Sequence, residues 1–243
     1  MKSGKITHVF FDVHDVLVDR VPLSAHYAER LGVIMTERYG GTPAEWTRAY
    51  HRVVEDWFSY YADLNLSGDE GIEDMWEGLF RTTRALFRLT NTPEPNKPEL
   101  TALARELPAL ASTGCDALYP ETREVLAALD NAGLTLGVIS HALSSQIHAS
   151  LAPILHHFKG TIWGADNAER FDKDVERYQA AILHARVAPE NCLVLDDKID
   201  PLLSARDAGT HTIQIRRDAG TKLYGGISLP DLRGILAYCL EQT

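Results

Sequence analysis

Short apolar runs alternate with helix-patterned stretches along most of this chain, and the clearest of these runs stop at a polar residue. Residues 6–11 (Ile-Thr-His-Val-Phe-Phe) are β-rich and mostly apolar, and they predict a buried strand ending at Asp12. Residues 134–139 predict a strand ending at Ser140, and residues 192–195 one ending at Asp196. A short strand is expected over 160–164 and another over 210–215. Helical patterns fill the gaps at 121–131, 145–157, 174–185, 201–208 and 229–240, with Gly133 and Gly209 as stops after the first and fourth. Strands that alternate with helices need right-handed crossovers, which give a parallel sheet covered on both faces.

Residues 22–111 break this rhythm. They are rich in Arg, Glu, Trp and Tyr and show no convincing strand. Trp76, Leu79, Phe80, Thr83, Leu86 and Phe87 recur at helical spacing, and residues 92–98 (Thr-Pro-Glu-Pro-Asn-Lys-Pro) form a proline-rich break. The expected organisation is a core of residues 1–21 and 112–243 with a helical insert of residues 22–111.

Composition narrows the class. Of 243 residues 45% are apolar and 24% charged, ordinary for a globular chain, so disorder is not expected. The formal charge of −10 disfavours nucleic acid and anionic membranes as partners and leaves a small molecule as the expected one. Cys115, Cys192 and Cys239 are scattered and lack zinc spacing, so free thiols in a reducing compartment are expected. Neither an apolar signal segment nor a run of about 20 apolar residues is visible, which suggests a cytoplasmic protein, monomeric or homodimeric.

Ligands of an open parallel sheet bind at the carboxyl ends of its strands. Asp12, Ser140 and the pair Asp196-Asp197 stand at such ends. Each alone is readily a turn former or a helix N-cap. Together they put carboxylates into one crevice, where they repel unless a cation lies between them, and a hard ion with oxygen ligands such as Mg²⁺ suits that set.

The order strand-Asp12, strand-Ser140, Lys173, strand-Asp196-Asp197 resembles the four motifs of the haloacid dehalogenase (HAD) superfamily. Residues 118–140 are similar to the core segment of its phosphatases and dehalogenases, and residues 193–209 to its fourth motif and the following helix. The resemblance implies an α/β, Rossmann-like three-layer core with an all-helical C1-type cap at the position of the insert. It also implies a hydrolase acting through an aspartyl intermediate, most simply a Mg²⁺-dependent phosphatase of a small metabolite. Asp12 would be the nucleophile, Ser140 would hydrogen-bond the transferring group, and Lys173 would neutralise its charge. Asp12, Asp196, Asp197 and the backbone carbonyl of His14 would hold the metal. Asp200 matches an acidic position common after the fourth motif, and equally a first-turn charge that complements a helix dipole.

The first motif departs from the family pattern. It reads Asp12-Val13-His14-Asp15-Val16, with His14 in place of the general-acid Asp and Asp15 in place of Gly. A histidine titrates near neutrality, so His14 can serve as the acid/base. It can equally mark another reaction, such as carbon–halogen or phosphonate cleavage, or a weakened phosphate-binding protein. Asp tolerates a left-handed backbone better than most residues, so the turn survives at Asp15. His141 stands beside Ser140 as a substrate-contact candidate or a loop residue without a role. In the insert, Arg20, His26, Arg30, Arg48, His51 and Arg52 either steer anions or form a solvated helix face. Trp46, Trp57, Tyr60, Tyr61 and Trp76 are expected chiefly in the cap core. Lys97, the lone lysine of the insert, sits in the proline-rich stretch, which argues against a Schiff-base phosphonate enzyme.

Overall fold

A computed structural model of the chain describes residues 5–68, 70–218 and 220–241. Its centre is a six-stranded sheet of β1 (His8–Phe11), β2 (Thr135–Ile139), β3 (Ile162–Trp163), β4 (Cys192–Asp196), β5 (His211–Ile215) and β6 (Ile227–Leu229). Every pairing is parallel, and the order is β3-β2-β1-β4-β5-β6. The chain first builds outward from β1 through β2 to β3, then returns to place β4 on the other side of β1. The switch point where open sheets bind ligands therefore lies between β1 and β4, at the end of β1. There Phe11 is in register with Val138 on one side and Leu195 on the other.

Alternation along β1 sends side chains to two cores. Val9 and Phe11 pack beneath α6 (Thr122–Asn131), α7 (Ser144–Leu151) and α10 (Ile235–Glu241), with Leu126, Leu129, Ile147, Leu151 and Ile235. Phe10 points the opposite way, into Tyr178, Ala181, Ile182 and Ala205 of α8 (Val175–Ala185) and α9 (Ile199–Asp207). This is the three-layer α/β architecture expected from the strand–helix alternation.

Among the described residues, five helices form the insert: α1 (Arg20–Tyr39), α2 (Pro43–Glu55), α3 (Trp57–Tyr60), α4 (Gly71–Thr90) and α5 (Lys97–Ser112). Their starts follow ordinary capping chemistry. Asp19 accepts from the Val21 amide, Thr42 and Glu45 form a capping box, and Asn96 accepts from the Glu99 amide. They enclose a separate core of Leu31, Met35, Trp46, Val53, Leu86, Phe87, Leu103 and Leu107. Trp46 meets Phe87 edge-on at 5.3 Å and donates its indole N–H to the Gly40 carbonyl at 2.8 Å. The cap rests on the main layer where α5 packs against α7.

Several local expectations need correction. The expected 145–157 helix is α7 only to Leu151; Ala152–His157 continue as a tighter 3₁₀ turn that opens with Pro153, which has no N–H to donate. The expected 229–240 helix starts at Ile235, and the residues before it form β6 and a turn after Pro230. Lys97 is the first residue of α5, with Pro98 in its first turn, where the lost N–H costs nothing. None of the described helices is long and apolar enough to cross a membrane.

Candidate active site

The polar residues at the strand ends converge. The Asp12 amide donates to the Leu195 carbonyl at 2.9 Å, and the Ser140 amide to the Trp163 carbonyl at 2.9 Å, so each residue extends its strand by one ladder bond. Asp12, Ser140, Lys173, Asp196 and Asp197 are all buried. Carboxylate oxygens of Asp12, Asp196 and Asp197 lie within 4.8 Å of one another. Lys173 reaches between two of them, forming a hydrogen-bonded ion pair with Asp196 and standing 3.2 Å from Asp12 Oδ1. Lys198, largely exposed, pairs with Asp197 at 2.5 Å.

These contacts set the charges. Burial alone would raise the Asp12 pKa, but Lys173, His14, His141 and a hydrogen bond from Ser140 hold it below the usual carboxylate value. Asp12 is thus ionised at neutral pH. Burial, reinforced by the Asp12 charge, pushes Asp196 up to about 7 despite Lys173. Asp197 is raised chiefly by burial. Lys173 remains cationic, because its two carboxylates outweigh its desolvation. Three close carboxylates against one buried ammonium leave a deficit of positive charge. Asp12 Oδ1 is buried without a hydrogen bond, and among the described residues nothing donates to the His14 carbonyl. Hard oxygen donors with spare lone pairs fit Mg²⁺.

The loop after β1 is held on itself. Asp15 adopts φ +59°, its amide donates to the Val18 carbonyl at 2.8 Å, and the Leu17 and Val18 amides both donate to Val13 at 2.9 Å. Asp therefore takes the left-handed position, as its short side chain allows. Its carboxylate meets Arg20 Nε at 3.2 Å. Two distant groups pin the loop. Arg217 donates to the Val16 carbonyl at 2.5 Å while pairing with Glu121, and its guanidinium stacks on Tyr119 at 3.7 Å. Thr122 donates to the Leu17 carbonyl at 3.1 Å.

His14 is half-buried, and burial lowers its pKa more than Asp12 and Asp15 raise it, so its imidazole is neutral near pH 7. His141 also sits close by, with its ring 5.1 Å from Phe171; burial and the Lys173 charge push its pKa down to about 3. Asp200 lies in the first turn of α9 and is exposed, outside the carboxylate group.

Three site-supporting residues escaped the sequence reading. Arg177 is 2% exposed and donates to the carbonyls of Ser140 at 2.6 Å and Phe171 at 2.8 Å, with a longer contact to Trp163. Its signal was positional: it lies four residues before Ala181, on the buried side of α8. Gln214, fully buried on β5, donates to the Asp197 carbonyl at 3.1 Å and to Lys222, and accepts from the Tyr224 amide and the Ser228 hydroxyl. Arg217 is the third.

Beside the site the cap leaves a cavity of about 400 Å³ that reaches the loop after β1 at His14. His14 and Gln146 line it from the core, and Arg20 together with α1, α2, α4 and α5 from the cap. Of the six basic cap residues considered from sequence, Arg20 alone lines it. His26 contacts the Thr113 carbonyl at 3.1 Å, and Arg30, Arg48, His51 and Arg52 are exposed, as a solvated helix face requires. Trp57 was expected in the cap core but is 37% exposed on the cavity wall, stacked on Tyr61 at 4.9 Å.

A family model described as haloacid dehalogenase-like hydrolase matches residues 6–209. No curated protein sequence matches the chain. Among solved structures, a 2-haloacid dehalogenase from Pseudomonas syringae pv. Tomato is 18% identical with a TM-score of 0.62, covering 98% of this chain and 99% of that one. A HAD phosphatase from Thermococcus onnurineus is 17% identical, TM-score 0.61, over 96% and 97% of the chains. A HAD-hydrolase from Bacillus subtilis bound to magnesium is 14% identical, TM-score 0.66, over 97% and 99%. At these identities the likeness concerns the fold.

Proposed function

The chain belongs to the haloacid dehalogenase-like hydrolases, and from that premise we propose that it is a Mg²⁺-dependent phosphomonoester hydrolase with Asp12 as nucleophile and His14 as acid/base. One observation carries this reading: the buried carboxylates of Asp12, Asp196 and Asp197 outnumber the buried cation beside them. A carbon–halogen displacement needs no metal, so it leaves this excess of negative charge without a counter-ion.

Asp12, ionised and aimed out of the sheet, attacks phosphorus, and the bond to the ester oxygen breaks. The leaving oxygen takes a proton from the imidazolium of His14, a minority form near pH 7 that Asp12 and Asp15 favour against burial. Water then attacks the aspartyl-phosphate, His14 accepts its proton, and the carboxylate and inorganic phosphate are released. Ser140 donates to a phosphoryl oxygen, Lys173 offsets its charge, and His141 contacts the substrate beside Ser140. Asp12, Asp196, Asp197 and the His14 carbonyl would hold Mg²⁺, which when bound would screen the charge of the transferring group.

The test is turnover of p-nitrophenyl phosphate with and without Mg²⁺. Asp12→Asn abolishes it, beryllofluoride is trapped by the wild type and not by the variant, and His14→Asp raises generic phosphatase activity. If His14→Asp changes nothing while Asp12→Asn is dead, the acid/base role of His14 is wrong. Carbon–halogen hydrolysis is the second reading, favoured by the apolar cap wall and by the missing acid Asp. Full activity on a 2-haloacid in EDTA would select it over the first.

A further inference from the structure

We propose that the substrate carries an apolar body, an alkyl chain or ring system, which lodges in the cap cavity while its reacting end lies at Asp12. The inference deepens the hydrolase reading and depends on it only for the nature of the reacting end.

The cavity is too large to be a packing defect. Voids in protein interiors rarely exceed a water molecule, whereas about 400 Å³ lies in the range of ligand pockets. At about 30 Å³ for a water-sized group in a liquid, it holds roughly a dozen non-hydrogen atoms. Its wall is mainly Leu23, Leu31, Val53, Leu79, Leu86 and Leu107. Its one Arg or Lys charge and two of its hydroxyls are already paired. Thr82 and Thr83 donate their hydroxyls to the Leu79 carbonyl at 3.0 and 2.8 Å, inside α4. Tyr27 and Tyr50 pack ring against ring at 5.0 Å, and burial keeps both phenols neutral. Arg20 is the one Arg or Lys among the described lining residues, and it is paired with Asp15.

Such a wall selects against a sugar or nucleotide body. Each hydroxyl stripped of water without a new partner weakens binding by about tenfold. Conversely, Val54 at 44% exposure and Trp57 at 37% leave apolar surface on the cavity wall open to water that an apolar ligand would cover. His14 joins the two regions, since it lines the cavity and lies two residues from Asp12.

The test uses two series of n-alkyl probes of two to eight carbons, phosphonates and carboxylates, titrated calorimetrically into the full-length protein with Mg²⁺. Affinity in at least one series rises by about fourfold per methylene. The octyl-to-ethyl ratio falls at least tenfold in Leu79→Trp, which fills the cavity, and in Val54→Asp, which puts a charge on its partly exposed wall. Circular dichroism reports folding, and Val54, nearly half exposed, is the safer site if Leu79→Trp does not fold. A ratio near one in both series, or a ratio unchanged in a folded variant, overturns the proposal. A clear chain-length series together with no turnover of alkyl phosphates supports the apolar body and removes the phosphatase chemistry instead.

Discussion

Replacing Arg177 by Met separates what this residue does for the site from what it does for stability. Arg177 is 2% exposed and among the described residues its guanidinium forms no ion pair; it bonds the Ser140 carbonyl at 2.6 Å and the Phe171 carbonyl at 2.8 Å. Hydrogen bonds from a charged group are worth about 1.5–3 kcal/mol each, so the two short ones contribute roughly 3–6 kcal/mol. Burying the charge opposes this. The Arg177 pKa falls from 12.5 to about 10, mainly through desolvation, which corresponds to about 3 kcal/mol against the charged form. Methionine fills much of the same space and removes both effects together. The net loss of stability then lies between about 0 and 3 kcal/mol, and its centre near 1.5 kcal/mol lowers Tm by roughly 3–6 °C for a chain of this size.

Activity responds differently, because Arg177 ties down the carbonyl of Ser140, whose hydroxyl faces Asp12. A shift of about 1 Å in a positioning group costs about a hundredfold in rate. Arg177→Met is therefore expected to lower kcat on p-nitrophenyl phosphate by about a hundredfold, with a much smaller change in KM and the modest Tm loss above. Thermal unfolding and steady-state kinetics on the same preparation check it. A Tm loss above about 10 °C with unchanged kcat would make Arg177 a purely structural residue and refute the reasoning.

Four further outcomes follow from other parts of the fold. Because the Asp196 pKa is raised to about 7, the folded state keeps a proton that the unfolded chain releases near pH 4; in EDTA, stability falls as pH rises between those values, and equal urea midpoints at pH 5 and pH 8 would contradict this. Mg²⁺ at a hundred times its Kd adds about 3 kcal/mol at pH 8 and less at pH 5. Gly78→Ala brings a Cβ to 1.9 Å from the Tyr61 ring, so it destabilises the cap by about 1–3 kcal/mol, readable as a lower Tm. Asp15→Gly relieves a left-handed residue but removes an exposed ion pair, so its stability stays within about 1 kcal/mol of wild type by urea denaturation.

The strands β1, β2 and β4 were legible as short, mostly apolar runs that stop at a polar residue, and β5 as a β-rich run despite Gln214 within it. β6 was not. Its three residues follow Gly225-Gly226 and precede Pro230, and it lies at the sheet edge, where one neighbour is enough. Asp12, Ser140, Asp196 and Asp197 could be read from their places at the ends of apolar runs. Lys173 has no such mark: it lies in a loop before α8, and only the family resemblance singled it out. Arg177, Gln214 and Arg217 act through backbone carbonyls 37, 17 and 201 residues away, contacts that no local pattern encodes. Trp57 was misplaced for a related reason. Helical periodicity assigns an aromatic to an inward face but does not say whether that face meets a core or a cavity.

The geometry divides recognition from chemistry along the chain. The loop of residues 13–18 is fixed to the core by Arg217 and Thr122, and the chain enters the cap immediately afterwards at Asp19, whose amide bonds the Ala117 carbonyl at 2.8 Å where the chain returns. The two connections between cap and core thus lie side by side, close to Asp12. Everything that fixes Asp12, Ser140 and Lys173 belongs to the core, while nearly everything that would touch the body of a substrate belongs to the cap. Substitutions on the cavity wall should then change KM and the preference for chain length, whereas those at Arg177 or Arg217 should change kcat. His14 crosses this division, because it belongs to the core loop beside Asp12 and to the cavity wall at once. A change there alters both constants together, which makes it the position where substrate choice and reaction are hardest to vary independently.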